Sequence, residues 1–383
     1  ANVGNGTTGD NGGQFTINAD GSYDFDPGTD FDDLAVSESR DTAITYQVSD
    51  GQGGTDKATL TITVNGASDA PVADPISNVT ADDGDALNVA AGDAFTDPEG
   101  DDLSYTATNL PDGVTIDPNT GAISGDLPAN ASQEGPYTVT VTADDGNGGT
   151  TEQTFTITAS NVDPIAANDT DSTGENAATS GNVVTGPGTD NDGGNDTDDL
   201  SVAQVDGDGA NVGNGTTGDN GGTFTVNADG SYDFDPGTDF DDLAVGESRN
   251  TTITYQVSDG QGGTDTATLT VTVAGENDTP VAGNDTSSTT ENTPTSGDVL
   301  ANDTDPDAND TLRLTQIDGD AANVGNVTAG DNGGSFTINA DGSYSFNPGT
   351  DFDDLAIGET ATTSVTYQVA DGNGGTDTAT LTV

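Results

Sequence analysis

One passage is written three times in this chain. ANVGNGTTGDNGGQFTINADGSYDFDPGTDFDDLAV, beginning at Ala1, returns at Ala210 as ANVGNGTTGDNGGTFTVNADGSYDFDPGTDFDDLAV and at Ala322 as ANVGNVTAGDNGGSFTINADGSYSFNPGTDFDDLAI. A repeat of this kind divides a polypeptide into units that each solve the same folding problem, and so constrains architecture before any single residue is considered. Each copy runs on into a TYQV(S/A)DG(Q/N)GGTD segment and a closing ATLT(I/V). Ahead of the second and third copies stands a head that opens Pro-x-Ala-x-Asn-Asp-Thr, at Pro164–Thr170 and Pro280–Thr286; the first copy has none. Between the first and second copies, Ala67 to Ser160 carries different wording. The 383 residues read as four modules: a partial one at 1–66, a distinct one at 67–160, and two complete ones at 161–275 and 276–383.

Inside the modules the hydrophobic period is two. Leu60, Ile62 and Val64 alternate with Thr59, Thr61 and Thr63, and Tyr137, Val139 and Val141 alternate with Thr138, Thr140 and Thr142. Such alternation buries one face of a strand and wets the other. Clusters such as NADGS and DGQGG between the runs supply turn chemistry. No stretch sustains a helical period, although DFDDLAV could form one helical turn. The fold class is therefore all-β: a tandem string of antiparallel Greek-key sandwiches. The first module, lacking a head, is expected to expose Phe15, Ile17 and Tyr46 or an unpaired edge. Either the chain is cut from a longer one, or another subunit donates the missing strands.

Charge narrows function. Sixty-eight acidic residues face four basic ones, a formal charge of -64, and there is no Cys, His, Met or Trp. Thiolate and imidazole chemistry and soft-metal sites are excluded. Nucleic acid and anionic membranes would be repelled. No run of about 18 apolar residues is present for direct membrane insertion. Cations remain. The acid is mostly aspartate, concentrated in TDPEGDD (Thr96–Asp102), TDNDGGNDTDD (Thr189–Asp199) and TDPDAND (Thr304–Asp310), each following a linker aspartate, Asp69, Asp163 or Asp278. Calcium accepts six to eight oxygens in tolerant geometry and suits alternating carboxylates on a bent loop. The DGQGG-type turns at Asp50, Asp259 and Asp371 read as plain turns. The pairs Asp32/Asp33, Asp241/Asp242 and Asp353/Asp354 recur in every copy, so they read as structural loops rather than three hydrolytic centres.

GSFTINADGSYSFNPGTDFDDLAIGETATTSVTYQVADGNGGTDTATLTV resembles the VCBS repeat of very large bacterial surface proteins. NDTPVAGNDTSSTTENTPTSGDVLANDTDPDAND resembles the opening of bacterial cadherin-like tandem repeats, and the central DPEGDDLSYTATNLPDGVTIDPNTGAISG is similar to dystroglycan-type cadherin-like and putative Ig domains. The resemblance implies an extracellular, non-enzymatic stalk segment of a secreted adhesin, rigidified by calcium and flanked by neighbouring repeats of the same chain. It also implies ligand sets at the junctions: Asp69 with Asp97 and Glu99, Asp163 with Asp190 and Asp192, and Asp278 with Asp305 and Asp307. The alternatives are a subunit of a self-assembling fibre that contacts other copies of itself, and a glycan-binding accessory module of a secreted enzyme. The absence of tryptophan weighs against the second.

Overall fold

The computed structural model describes residues 3–193 and 199–383. Its regular elements are almost wholly strands, and its contacts divide it into two compact units. The first comprises residues 1–163 with 192–199 and 261–263; the second comprises 164–191, 200–260 and 264–383.

In the second unit two sandwiches share one plan. In the earlier one, the strands Asp169–Gly174, Thr264–Ala274, Ser248–Ser258 and Ser201–Val205 form one sheet in that order. Thr179–Asn182, Ser231–Asp235, Thr223–Val226 and Gly215–Thr217 form the other. The later sandwich repeats both sheets with Asp285–Thr286, Thr376–Thr382, Ser364–Ala370 and Arg313–Ile317 facing Thr295–Asp298, Ser343–Asn347, Ser335–Ile338 and Val327–Ala329. The alternation sends Tyr255, Val257, Leu269, Val271 and Val273 inward onto Phe224, Phe234 and Phe240, leaving the threonines between them wetter. At about 25 cal/mol per Å2 of apolar surface buried, this packing is the main stabilising term. One turn explains why so much loop text recurs. Gly222 has φ +73°, and a Cβ there would lie 2.4 Å from the Phe234 ring, so only glycine lets the aromatic close the sandwich. Asp239 Oδ2 accepts the Gly222 amide at 2.8 Å.

In these two sandwiches pairing is antiparallel except at one place in each. The head strand of each sandwich lies parallel to the module's final strand, Asp169 opposite Leu269 and Asp285 opposite Leu381.

The first unit holds a sandwich and an open module. In the sandwich, Ser104–Thr108, Tyr137–Asp144, Thr150–Ser160 and Val79–Asp82 face Thr115–Ile116, Ala122–Asp126 and Ala86–Ala90 around Ile123, Val139, Val141, Phe155 and Ile157. The open module consists of a three-stranded sheet (Thr7–Thr8, Gln14–Ile17, Tyr23–Asp26) and a separate hairpin (Ser39–Ser49, Thr55–Asn65). Phe15, expected to be exposed, is buried against Phe25, ring centroids 4.6 Å apart. Ile17 and Tyr46 are half-buried, and Tyr23 and Val48 are open instead. The DFDDLAV stretch makes turns, not a helix.

Candidate metal centre

Within the second unit, the linker between its two sandwiches gathers carboxylates from three separate stretches of sequence. The parallel head strand ends at Gly174, and the Glu175 amide donates to Ala274 O at 2.9 Å. That pairing places Glu175 where the final strand runs into the linker. Glu175 is fully buried; one of its oxygens accepts the Glu276 amide at 2.7 Å, and Oε2 has no partner. From the following sandwich, an isolated bridge between Val281 and Thr304 anchors the acidic loop. Asp305 Oδ1 accepts the Asp307 amide and Asp307 Oδ2 accepts the Asp278 amide, both at 3.0 Å. These bonds bend the loop around the linker and leave Asp305 Oδ2 and Asp307 Oδ1 buried without partners. Glu175, Asp278 and Asp307 each bring an oxygen to within 4.8 Å of the others, and Asp305, Asp307 and Asp310 do the same beside them.

Electrostatics state the problem such a cluster poses. Burial raises the Glu175 carboxyl, with the charges of Asp278, Asp307 and Asp241 adding to it. Burial likewise raises Asp278, helped by Asp241 and Asp307, and raises Asp305, helped by Asp307, Asp310 and Asp371. Two such charges about 4 Å apart repel by roughly 1 kcal/mol in water and more where water is excluded. Among the described residues the ion pairs are Arg249 with Asp242 and Arg40 with Asp33, and neither these arginines nor Lys57 or Arg313 forms an ion pair with the cluster. Alternating carboxylates with free inward oxygens form a hard-oxygen donor set, which fits calcium.

Spacing alone missed several members. Glu175 lies far from the acidic loop in sequence, and its only signal was a glutamate recurring as GEN and TEN, at Glu175 and Glu291, in an aspartate-dominated chain. Asp310 was passed over, and Asp371, read as part of a plain turn, sits beside the cluster. Its carboxylate accepts the Asn277 side-chain amide at 3.0 Å and the Asn373 and Gly374 amides at 2.7 and 2.9 Å. Burial would raise Asp371, but these donors outweigh it and hold the group below its ordinary range. The Asn277 side-chain oxygen is itself buried without a partner.

The first unit repeats the loop half of this arrangement. Asp97 Oδ1 accepts the Glu99 and Asp101 amides at 3.0 and 3.1 Å, and the Asp69 amide donates to Glu99 Oε2 at 3.3 Å, as Asp278 does to Asp307. Asp97, Glu99 and Asp101 converge within 4.8 Å, with Asp97 Oδ2 and Glu99 Oε1 buried and unpartnered. Asp145, the counterpart of Asp371, accepts the Asn147 and Gly149 amides at 2.7 and 2.9 Å.

The third expected set falls differently. Asp163 is exposed, and it and Asp192 belong to the first unit whereas Asp190 belongs to the second. Asp190 Oδ1 accepts the Ala167 amide at 2.7 Å, as Asp303 Oδ1 accepts Gly283. Asp190 therefore corresponds to Asp303, not Asp305, a slip of two residues from the register that spacing suggests. It sits beside Asp169 and Tyr255, whose hydroxyl donates to Asp169 Oδ2 at 2.7 Å. Burial pushes Asp190 up to about 6, the Asp169 charge contributing. The rest of that acidic stretch, Gly194 to Asp198, lies outside the described residues.

A profile described as bacterial cadherin-like domain matches residues 161–275 and 277–383; putative Ig and bacterial Ig domain profiles match 70–160 and 2–63. The calcium-binding lectin RapA2 of Rhizobium johnstonii (strain DSM 114642 / LMG 32736 / 3841) is 35% identical over 170 residues, which are 42% of this chain and 70% of that protein. Among solved structures, protocadherin gamma B7 extracellular cadherin domains 1–4 align with a TM-score of 0.39 and 13% identity, over 97% of this chain and 89% of that one. Drosophila N-cadherin EC1–4 aligns with a TM-score of 0.35 and 14% identity, over 100% and 92%.

Proposed function

This chain belongs to the bacterial cadherin-like domain family, and from that premise we propose that it is a non-catalytic spacer segment of an extracellular bacterial adhesin whose module junctions are fixed by calcium. The observation that carries the reading is the set of buried, unpartnered oxygens on Glu175, Asp305 and Asp307 around the Asp278 linker. A divalent ion held there bonds both sandwiches of the second unit and removes hinge freedom between them. Glu175 would anchor it from the preceding sandwich, Asp278 from the linker, and Asp305 and Asp307 from the following one. Extracellular calcium modules bind with dissociation constants of about 0.1 to 1 mM, and that range is expected here.

The test is calorimetric titration of chelator-stripped chain with calcium, alongside small-angle scattering with and without the ion. Calcium should bind and reduce flexibility, and the double change Asp305→Ala with Asp307→Ala should remove the binding assigned to this junction. Identical scattering in calcium and chelator, with no heat of binding, would leave the loops as plain solvated turns. A second reading, calcium-dependent carbohydrate recognition, is favoured by the identity to a calcium-binding lectin. Glycan-array binding that disappears on chelation would support it.

A further inference from the structure

Inside each sandwich of the second unit, one tyrosine hydroxyl is surrounded by more oxygen than a single proton can satisfy. The Tyr255 hydroxyl lies 2.7 Å from Asp169 Oδ2, 2.8 Å from the Ala167 carbonyl and 3.3 Å from the Val183 carbonyl. The Asp190 carboxylate faces the same hydroxyl. A tyrosine has one proton to donate, so most of these acceptors go unanswered. The outer oxygens of both aspartates are already engaged, Asp169 Oδ1 with the Gly188 amide at 3.0 Å and Asp190 Oδ1 with the Ala167 amide at 2.7 Å. Asp190 Oδ2 is left buried without a partner. Water has little access, for Tyr255, Asp169 and Asp190 are 1%, 3% and 6% exposed. Neither aspartate belongs to an ion pair among the described residues.

The later sandwich builds the same cage. The Tyr367 hydroxyl lies 2.7 Å from Asp285 Oδ2, 2.8 Å from the Gly283 carbonyl, 3.1 Å from the Val299 carbonyl and 3.5 Å from Asp303 Oδ1. Asp303 Oδ2 is again buried and unpartnered. The loops that deliver these oxygens are not copies of each other. Val184–Thr189 separates Val183 from Asp190, whereas the shorter Leu300–Asn302 separates Val299 from Asp303. Two loops of different length and wording thus close the same oxygens around the same hydroxyl.

Two buried carboxylates against one proton leave a charge that the interior cannot solvate. A cation removes the deficit. Oxygens about 3 Å apart are spaced like neighbouring ligands of an ion bonded at about 2.3 to 2.6 Å, and carboxylates mixed with backbone carbonyls suit calcium, whereas magnesium would retain waters that this dry cage cannot hold. We propose that each of these sandwiches holds a calcium ion of its own, set between Asp169, Asp190 and the Ala167 and Val183 carbonyls in the earlier one and between Asp285, Asp303 and the Gly283 and Val299 carbonyls in the later. Tyr255 or Tyr367 closes each site. The ion fastens a head strand to its own sandwich instead of one sandwich to the next, so it does not depend on the junction reading.

The probe is terbium, a luminescent substitute for calcium that is excited through a tyrosine lying against it, in a chain that has no tryptophan to confuse the signal. It is added to chelator-stripped full chain carrying Asp305→Ala with Asp307→Ala, changes that remove junction donors and leave the earlier sandwich untouched. Tyrosine-sensitised emission should appear, calcium should displace it, and Tyr255→Phe should remove a large part of it. Asp190→Asn keeps every tyrosine and should weaken binding at that site about tenfold or more. In chelator the same variant should melt no lower than its parent, because a buried charge is gone; a merely structural carboxylate would give a lower melting temperature and unchanged emission. The proposal is overturned if no sensitised emission appears, if calcium leaves it unchanged, or if it survives both Tyr255→Phe and Asp190→Asn. Loss of all calcium binding in the Asp305→Ala, Asp307→Ala chain would overturn this site and keep the junction, whereas emission that persists while scattering is identical in calcium and chelator would keep this site and overturn the junction.

Discussion

Glu175 commits one carboxylate oxygen to the Glu276 amide and leaves the other buried among like charges. Changing it to Gln keeps its shape and removes a charge, so calcium affinity at that junction should fall several-fold or more while the sandwiches stay folded; calorimetry and far-ultraviolet dichroism check both halves. Asp190 makes a different prediction. Its folded carboxyl is pushed up to about 6, above the unfolded value near 3.9. Between these values the native state holds a proton that the unfolded chain has lost, so stability falls as pH rises through about 6. Without divalent ions, the melting temperature should be higher near pH 4.5 than near pH 7.5, and Asp190→Asn should flatten that slope. Asp278, Asp305 and Asp307 were legible because alternate carboxylates after a linker look like a cation loop. Glu175 and Asp371 were not, because they reach the site through a parallel strand and a hairpin turn that spacing cannot reveal, and Asn277, though it stands beside Asp278 in the linker, carries no charge to mark it. The register of Asp190 was misread because inserted residues change a loop's count without changing the bridge that anchors it, Ile165 with Asn191 in one sandwich and Val281 with Thr304 in the other.

At the scale of strands, period-two alternation located the inner faces well: Tyr137, Val139 and Val141 line or edge the core of their sandwich as read. What alternation cannot carry is partnership, since it fixes which side of a strand is buried but not its neighbour. The parallel head strand came from the structure alone, and so did the burial of Phe15, which its stacking on Phe25 secures without any head. The repeats permit a matched comparison. Leu269 is completely buried and its counterpart Leu60 only half so. Leu269→Ala should cost about 2 to 5 kcal/mol, the range for emptying a packed leucine site, and Leu60→Ala distinctly less. Hydrogen exchange of the two hairpins under mild denaturant reads each effect in its own module, and equal losses would mean that the open face is packed in solution.

For the chain as a whole, a formal charge of -64 over 383 residues is a standing repulsive load. Sodium chloride should raise the melting temperature of the chelated protein by screening it. Millimolar calcium should raise it further at matched ionic strength, because a bound ion adds linkage stabilisation to screening; equal effects of the two salts in a thermal scan would argue against specific sites. The parallel pairing of first strand with last has one more consequence. A pull applied to the two ends of such a module draws those strands past each other lengthwise, so their cross-strand bonds are loaded together in shear instead of being unzipped singly. The sandwich at 161–275 pairs six residues this way, Asp169 to Gly174, and the one at 276–383 pairs two, Asp285 and Thr286. Stretched from its two ends, the sandwich at 161–275 should therefore hold to a higher force than the same sandwich pulled across one of its hairpins, a difference that single-molecule force spectroscopy reads.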